Sequence, residues 1–192
     1  MLTFEPEAHV YAWNGKRIPS VTQVLDRLHD FSHVPMEVLE AAKTRGSNVH
    51  SACQFFDEGD LDESSLEPSE LGYVQAWQRF CAEHHPNWSM IETPLYHPVF
   101  CYAGTPDRIG SILSGGVRID AQVDIKTSAS SHPVWGVQTA AYNAAANFTG
   151  RRFTCQLRAN GTYKLIEWSD PTDWPVFLSL INLSNWTRKH NL

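Results

Sequence analysis

The chain has 192 residues, of which 42% are hydrophobic and 19% are charged, and its formal net charge is −6. This composition is typical of a folded globular protein and excludes an intrinsically disordered chain. The sequence contains no apolar run of about 18 residues, so we expect no membrane span. It begins without a basic segment followed by an apolar one, so no secretory signal is visible. We therefore expect a single domain, residues 1–192, in the cytoplasm.

The charge is distributed unevenly along the chain. Residues 1–100 carry 6 basic and 15 acidic side chains, whereas residues 101–192 carry 9 basic and 6 acidic ones. Between Asp57 and Glu70 there are 7 acidic residues and no basic one. We interpret this run as a solvated loop that faces away from substrate, since it lacks the glycine spacing of an EF-hand. The net acidity argues against a nucleic-acid partner, but the second half of the chain has the positive charge that phosphate binding requires.

The four cysteines predict neither a metal cluster nor disulfides. No two of them form a CxxC pair, the spacing from which zinc and iron–sulfur sites are usually built. Without a secretory signal, disulfides are not expected either. We expect all four to be buried as small apolar residues. They are Cys53, Cys81, Cys101 and Cys155.

The N-terminal half is predicted to be helical after an initial hairpin. A strand over His9–Trp13 leads into an Asn14-Gly15 turn and a second short strand. Ser20 then caps a short helix that reaches Leu28. Apolar residues at helical spacing predict two longer helices, Met36–Asp57 and Ser69–His84, which complete a helical part over residues 20–86.

The second half is predicted to alternate between strands and helices. This order indicates an α/β domain with a central mixed sheet flanked by helices, a sheet core over residues 88–168 and a C-terminal helix over 171–190. Either Asp170 or Thr172 is expected to cap that last helix. The other predicted elements are strands Met90–Tyr96, Val99–Ile112 and Val117–Thr127, a helix over Trp135–Asn147, a hairpin of Arg152–Arg158 and Thr162–Trp168, and the helix Asp173–His190.

Two carboxylates and a lysine are predicted to meet at one end of the sheet. A hairpin folded at Ser114–Gly116 brings residues near Asp107 opposite residues near 123, so Asp107 and Asp124 can approach each other. Lys126 lies two residues after Asp124 and therefore on the same face of the strand. Carboxylates supply the hard oxygen ligands that Mg²⁺ prefers, and the lysine can act on water and stabilise charge on phosphorus. The alternative is an ordinary exposed ion pair between Asp124 and Lys126, without a role in chemistry.

Two helical segments add polar residues to this group. Gln138 and Tyr142 lie four residues apart, so they share one face of the helix that follows the carboxylates. His50 follows Gly46 in the first long helix, where a glycine costs about 1 kcal/mol relative to alanine and so often has a packing or access reason. The alternatives are a structural histidine and a core tyrosine.

These four segments together resemble the PD-(D/E)xK nuclease superfamily, and in particular its RecB-like branch of phage-type exonucleases. The resemblance covers roughly residues 9–190 and includes the opening Ile18-Pro19-Ser20-Val21-Thr22. It implies a restriction-endonuclease-like core. The segments that carry it are Arg45-Gly46-x-x-x-His50, Gly104-x-x-Asp107, Asp124-x-Lys126 and Gln138-x-x-x-Tyr142.

The resemblance implies a role for each of these residues. Asp107, Asp124, the backbone carbonyl of Ile125 and His50 would hold Mg²⁺, for which Mn²⁺ would substitute. Lys126 would act on the attacking water, and Gln138 and Tyr142 would position the substrate or the lysine. Glu92 is a further acidic candidate. No iron–sulfur cluster is expected, because the cysteine spacing does not fit the subgroup that carries one. The candidates for contacts to nucleic acid are Arg45, Arg151, Arg152, Arg158 and Lys164.

The function expected from this resemblance is metal-dependent hydrolysis of DNA. The chain would be an exonuclease in phage or prophage recombination or DNA processing, working in a bacterial or phage-infected cytoplasm, with a single-strand annealing protein as a possible partner. The alternatives are a structure-selective or single-strand endonuclease and a protein that binds nucleic acid on a nuclease fold without cutting it. The sequence leaves the oligomeric state and the polarity of digestion open.

Overall fold

The computed structural model describes residues 1–6, 8–30, 32 and 34–192. Within this described part the chain forms ten strands and five α-helices, and a short 3₁₀ turn, Asp26–Leu28, follows the first helix. The strands are β1 (Leu2–Glu5), β2 (Val10–Trp13), β3 (Lys16–Ile18), β4 (Asn87–Ile91), β5 (Leu95–His97), β6 (Tyr102–Gly104), β7 (Arg108–Ser114), β8 (Val117–Lys126), β9 (Arg151–Leu157) and β10 (Tyr163–Trp168). The helices are α1 (Val21–Leu25), α2 (Met36–Glu58), α3 (Pro68–His84), α4 (Val134–Ala146) and α5 (Asp173–His190).

A five-stranded sheet organises the molecule, with the strand order β10-β9-β8-β7-β4. Strands β8 and β9 are parallel, and the chain crosses between them through α4, as a parallel pair requires. The other neighbouring pairs are antiparallel. The predicted α/β class with a mixed sheet is therefore confirmed.

The two faces of this sheet are covered by different helices. Side chains alternate between the faces of a strand, so successive residues of β8 enter different environments. One face packs against α2 and α3 in a core that includes Trp77, Phe80, Val123 and Ile125. The opposite face lies against α4 and α5, where apolar residues of the helices form a second core.

The N-terminal segment forms a small separate sheet. The predicted hairpin is confirmed as β2 and β3, turned at Asn14 and Gly15, both with positive φ angles. The structure adds β1, which pairs with β2 and was not predicted. Ser20 caps α1 as expected, in a reciprocal capping box with Gln23.

Two predicted strands are each broken into two shorter strands. The expected strand Met90–Tyr96 ends as β4 at Ile91, because Glu92 adopts a φ of +42° and Pro94 follows. The expected strand Val99–Ile112 is divided into β6 and β7 by residues 105–107, where Pro106 offers no backbone N–H to a neighbouring strand. Both breaks lie next to acidic residues of the candidate site.

The acidic run is a largely exposed loop between its two ends, as its composition predicts, but both end residues are buried. Its first residue, Asp57, is buried in the last turn of α2 and forms an ion pair with Arg108. Its last residue, Glu70, is buried in the first turn of α3 and accepts a hydrogen bond from Asn48. The residues between them include a 3₁₀ turn, Glu63–Ser65. The prediction of a solvated loop is therefore confirmed for the middle of the run and wrong for Asp57 and Glu70, which are paired inside the protein.

The cysteines are also less uniform than predicted. Cys53 and Cys155 are buried in the core beside α2, and Cys81 is half-buried. Cys101 is exposed, so the expectation of burial is wrong for it. All four are free thiols.

No α-helix among the residues described is both long enough and apolar enough to cross a membrane. The longest, α2, has six charged residues among its 23 positions.

Candidate metal centre and active-site cleft

The antiparallel pair β7–β8 brings Asp107 beside the end of β8. Arg108 pairs with Val123 in the register of these strands, so Asp107 lies next to the level of Asp124. One oxygen of the Asp107 carboxylate accepts a hydrogen bond from the backbone N–H of Ile125 at 2.5 Å. The predicted approach of the two strand segments is therefore confirmed.

Asp124 and Lys126 form a buried ion pair, with 2.7 Å between Nζ and a carboxylate oxygen. The side chain of Asp124 is 1% exposed and that of Lys126 is 19% exposed. Apart from Lys126, no donor among the described residues reaches either carboxylate oxygen of Asp124. The alternative of an ordinary exposed ion pair is therefore wrong, because a buried carboxylate with so few partners is costly to maintain.

His50 reaches the same place from α2. Its Nε2 lies 3.0 Å from the backbone carbonyl of Ile125, which can only accept, so Nε2 carries the proton. Its Nδ1 faces two carboxylates, at 3.6 Å from Asp107 and 3.8 Å from Glu92. The hydrogen bond from Nε2 to the Ile125 carbonyl fixes the ring so that Nδ1 points at the two carboxylates. Histidines that bind metal are commonly oriented in this way by a partner on the other ring nitrogen.

Glu92 is the third member of this group. Ligand atoms of His50, Glu92 and Asp107 all lie within 4.8 Å of one another, and they form the group in the described part of the chain that could hold a metal ion. The backbone N–H of Glu92 donates to the carbonyl of Asp107 at 3.0 Å. Glu92 also has the left-handed φ of +42°, an unfavourable conformation that is often found at functional sites.

These residues could hold a metal ion. Two carboxylates and an imidazole converge, and Asp124 adds a buried carboxylate beside them. Asp124 itself is paired with Lys126 and lies outside the three-residue group, so its direct binding of metal stays a prediction. The Ile125 carbonyl, also predicted as a ligand, accepts the bond from His50.

Burial and neighbouring charges shift the pKa of Asp107, Asp124, His50 and Lys126. Burial raises the pKa of Asp124 to about 6 against the opposing charge of Lys126. Burial also raises the pKa of Asp107, although the charge of His50 opposes this rise. For His50 and Lys126 burial lowers the pKa, but neighbouring carboxylates outweigh it and the net pKa is raised. Lys126 is therefore a cation at neutral pH.

Helix α4 places Gln138 and Tyr142 beside this group, as its helical spacing predicts. The side-chain amide of Gln138 donates to the Tyr142 hydroxyl at 3.1 Å, and both residues are buried. Gly104 makes this position possible, since a Cβ on Gly104 would lie 2.6 Å from the Tyr142 ring. The prediction that Gln138 and Tyr142 share one face of this helix is confirmed. Their role stays a prediction.

A cleft of about 600 Å³ opens onto the group. Its floor includes His50, Glu92, Asp107 and Lys126, and Gln138 and Tyr142 form one side. Gly46 of α2 lies along it with 3.7 Å between its Cβ position and the Thr127 hydroxyl, so an alanine would fit. The N-terminal sheet contributes a wall that the sequence did not predict, formed by Phe4, Pro6 and His9.

The predicted contacts to nucleic acid lie in several places. Arg45 packs over the Tyr73 ring, with 5.7 Å between its guanidinium and the ring centre. Arg151 forms an ion pair with Glu167, at the end of β9 that is remote from Lys126. Arg152 is bound to Asp173 and to the Gly136 carbonyl on α4. Arg158 and Lys164 are exposed, and their strands reach the level of Lys126.

The sequence did not predict that Arg108 and Asp57 would lie next to the candidate metal-binding group. Arg108 is fully buried and contacts Asp57, Glu92 and the carbonyl of Asp107. Its signal was an arginine directly after Asp107 in a strand that is otherwise largely apolar. Asp57 was assigned to solvent with the rest of the acidic run, and only the fold shows it opposite Arg108.

No protein-family model matches the chain, and no match to its sequence was found among curated proteins. The assignment of a function therefore depends on the chemistry of the cleft.

Proposed function

We propose that this chain is a metal-dependent DNA nuclease of the PD-(D/E)xK type that hydrolyses phosphodiester bonds. The observation that supports this most is the convergence of His50, Glu92 and Asp107 beside the buried Asp124–Lys126 pair, at the floor of one open cleft. Acidic ligands beside a lysine suit an anionic substrate that arrives with a divalent cation.

The side chains divide the work between binding the cation and stabilising charge. His50, Glu92 and Asp107 would hold Mg²⁺ or Mn²⁺, with Asp124 and the Ile125 carbonyl as further candidates. When bound, the cation would polarise a phosphoryl oxygen and offset the negative charge of the acids. Lys126 would orient the attacking water and stabilise the charge that develops on phosphorus, a role that suits its raised pKa.

Residues on α4 would hold this arrangement. Gln138 donates to Tyr142, and both border the cleft above Lys126, so they could restrict the position of the lysine or of a bound phosphate. Catalysis is sensitive to errors of about 1 Å in such positions.

The choice of an exonuclease rests on the resemblance to phage-type RecB-like enzymes. In this proposal the chain acts in recombination or DNA processing in a bacterial or phage-infected cytoplasm, beside a single-strand annealing protein. The excess of basic over acidic residues in the second half of the chain would support DNA binding there. The affinity would fall as the salt concentration rises.

One experiment tests the proposal directly. Linear duplex, closed circular, nicked circular and single-stranded DNA are incubated with Mg²⁺, Mn²⁺ or EDTA, using the wild type, Lys126→Ala and Lys189→Ala. Lys189 is exposed near the end of α5 and serves as the matched control. We expect loss of linear DNA that requires metal, spares closed circles, falls roughly 10²- to 10³-fold in Lys126→Ala and is unchanged in Lys189→Ala.

Other outcomes would change the assignment. Cutting of closed circles would replace the exonuclease with an endonuclease. Retention of DNA without cutting under any of these metals would leave a binding protein on a nuclease fold. Labels at the 5′ or the 3′ end would determine the polarity of digestion.

A further inference from the structure

A buried charge network lies directly behind the candidate metal group. Arg108 is 0% exposed and follows Asp107 in the chain, so its side chain points to the opposite face of β7, toward α2 and α3. Its Nε donates to Asp57 at 2.6 Å. Its Nη1 donates to Glu92 at 3.1 Å and to the backbone carbonyl of Asp107 at 2.7 Å.

Asp57 is held firmly at the far end of this network. The indole N–H of Trp77 lies 3.2 Å from both of its carboxylate oxygens, and the Cys81 thiol donates to one of them at 3.7 Å. The Arg108 guanidinium also lies over the Trp77 ring, 5.5 Å from its centre. Asp57 therefore fixes Arg108 in one orientation, because the donors around it and the ring leave little freedom.

Arg108 in turn limits where Glu92 can lie. Glu92 is partly exposed, with 23% of its side chain accessible, so solvent alone would leave its carboxylate several orientations. The same carboxylate oxygen that accepts from Arg108 lies 3.8 Å from Nδ1 of His50. The bond from Arg108 thus keeps a ligand atom of Glu92 within the group that faces the cleft.

We infer that Asp57 and Arg108 are positioning residues that set the affinity of the His50–Glu92–Asp107 group for a divalent cation. The inference rests on the proposed metal site and deepens it. Neither residue lies among those that line the active-site cleft, so both act through Glu92 and the backbone of Asp107. Loss of a group that orients metal ligands typically weakens metal binding by about 10- to 100-fold.

The test measures Mn²⁺ affinity by electron paramagnetic resonance, at a temperature at which each variant is folded. The variants are Asp57→Asn, Arg108→Lys and the matched control Asp173→Asn. Asp173 forms a largely buried ion pair with Arg152, 3.0 Å long, on the far side of the sheet from Asp57. We expect Asp57→Asn and Arg108→Lys to raise the Kd for Mn²⁺ at least about tenfold and Asp173→Asn to leave it unchanged.

A double-mutant cycle separates positioning from a general loss of structure. Glu92→Gln alone should weaken Mn²⁺ binding, and adding Asp57→Asn to it should cause a smaller loss than Asp57→Asn causes in the wild type, because Glu92 is one of the two groups through which Asp57 acts. This cycle uses the near-isosteric Asp57→Asn and so remains informative even if Arg108→Lys does not fold.

The outcomes distinguish this inference from the proposed function. If the wild type binds Mn²⁺ and Asp57→Asn binds it equally well while unfolding at a lower temperature, the network is only a core ion pair and the inference fails alone. Fully additive effects of Asp57→Asn and Glu92→Gln would also overturn it. If the wild type binds no Mn²⁺ at all, the metal site and the inference fail together.

Discussion

The two faces of strand β8 differ sharply in the residues they bury. Ala121, Val123 and Ile125 point into the core beneath α2 and α3 and are completely buried there. The intervening residues Gln122 and Asp124 are equally buried beneath α4, yet they are polar and poorly partnered. One face therefore contributes to stability, whereas the other gives up stability by burying charged and polar groups.

The largest expected effect is on the apolar face. Ile125→Ala should lower the free energy of unfolding by about 2–5 kcal/mol, because it removes a fully buried side chain from a packed core. Urea unfolding followed by tryptophan fluorescence measures this loss. The backbone of Ile125 remains, so cleavage per folded molecule should persist well below the unfolding temperature.

Lys126→Ala provides the contrast on the next residue. It should greatly reduce cleavage, since Lys126 lies at the cleft floor. It should leave the urea midpoint nearly unchanged at about pH 5, where the buried Asp124 is largely protonated and needs no cation beside it. A loss of stability at this pH as large as that of Ile125→Ala would show that the two faces do not divide structure from chemistry.

The contrast also explains what the sequence could predict. The alternation of β8 and the turn after Ser114 placed Asp107 near Asp124 and put Lys126 on the face of Asp124, and both expectations are confirmed. Local patterns carry that information because pleat and register follow from spacing. The fold also joins residues that no local pattern connects.

The pairing of Asp57 with Arg108 illustrates the second case, since 51 residues separate them. An acidic run has the same composition whether its first residue is solvated or buried. The position of Glu92 likewise depends on a break in the strand at a left-handed residue. Such features follow from tertiary packing, which overrides local preference.

Asp124→Asn should show how much stability is lost by burying the charged Asp124 carboxylate, because this loss depends on pH. Burial raises the pKa of Asp124 from 3.8 to about 6, so the folded chain binds more protons than the unfolded chain between these values. The wild type should therefore lose stability as pH rises through this window. At pH 8 we expect Asp124→Asn to be more stable than the wild type by about 1–3 kcal/mol, and at pH 3.5 to be equal to it.

Chemical denaturation at a series of pH values without added metal provides the measurement. The carboxylate should be required for cleavage, so the more stable variant should also be the inactive one. A variant that is less stable than the wild type at pH 8 would mean that the ion pair with Lys126 outweighs the cost of burying Asp124.

Gln122→Leu should stabilise the protein by about 1 kcal/mol, because burying an unpaired amide is costly and leucine has a similar size. Gln122 is 0% exposed, and neither its amide oxygen nor its amide nitrogen has a hydrogen-bond partner among the residues described. Gln156→Leu is the matched control, since Gln156 is also buried but donates to the Ser128 carbonyl at 2.7 Å. The midpoint temperature of thermal unfolding should rise for Gln122→Leu and fall for Gln156→Leu. Equal losses in both would show that Gln122 has a bound partner, such as a water molecule.

The smallest effects should distinguish the two ends of the sheet. Arg151 begins β9 opposite Ala121, whereas Gln156 pairs with Lys126, so Arg151 lies about 16 Å along the strand from the cleft level. Arg158 follows the last residue of β9 and lies at the cleft end. We expect Arg158→Gln to weaken DNA binding and to lower the salt slope by up to about 0.9, the value for one phosphate contact.

Arg151→Gln is the control for this comparison. It should leave DNA affinity unchanged and alter stability by less than about 1 kcal/mol, since its ion pair with Glu167 is exposed. Fluorescence anisotropy of a labelled duplex in EDTA, repeated over a range of salt concentrations, measures both variants without cleavage. An equal reduction of the salt slope in both variants would mean that DNA contacts the whole length of β9 and not only its cleft end. The DNA would then have to bind along the sheet edge near β10.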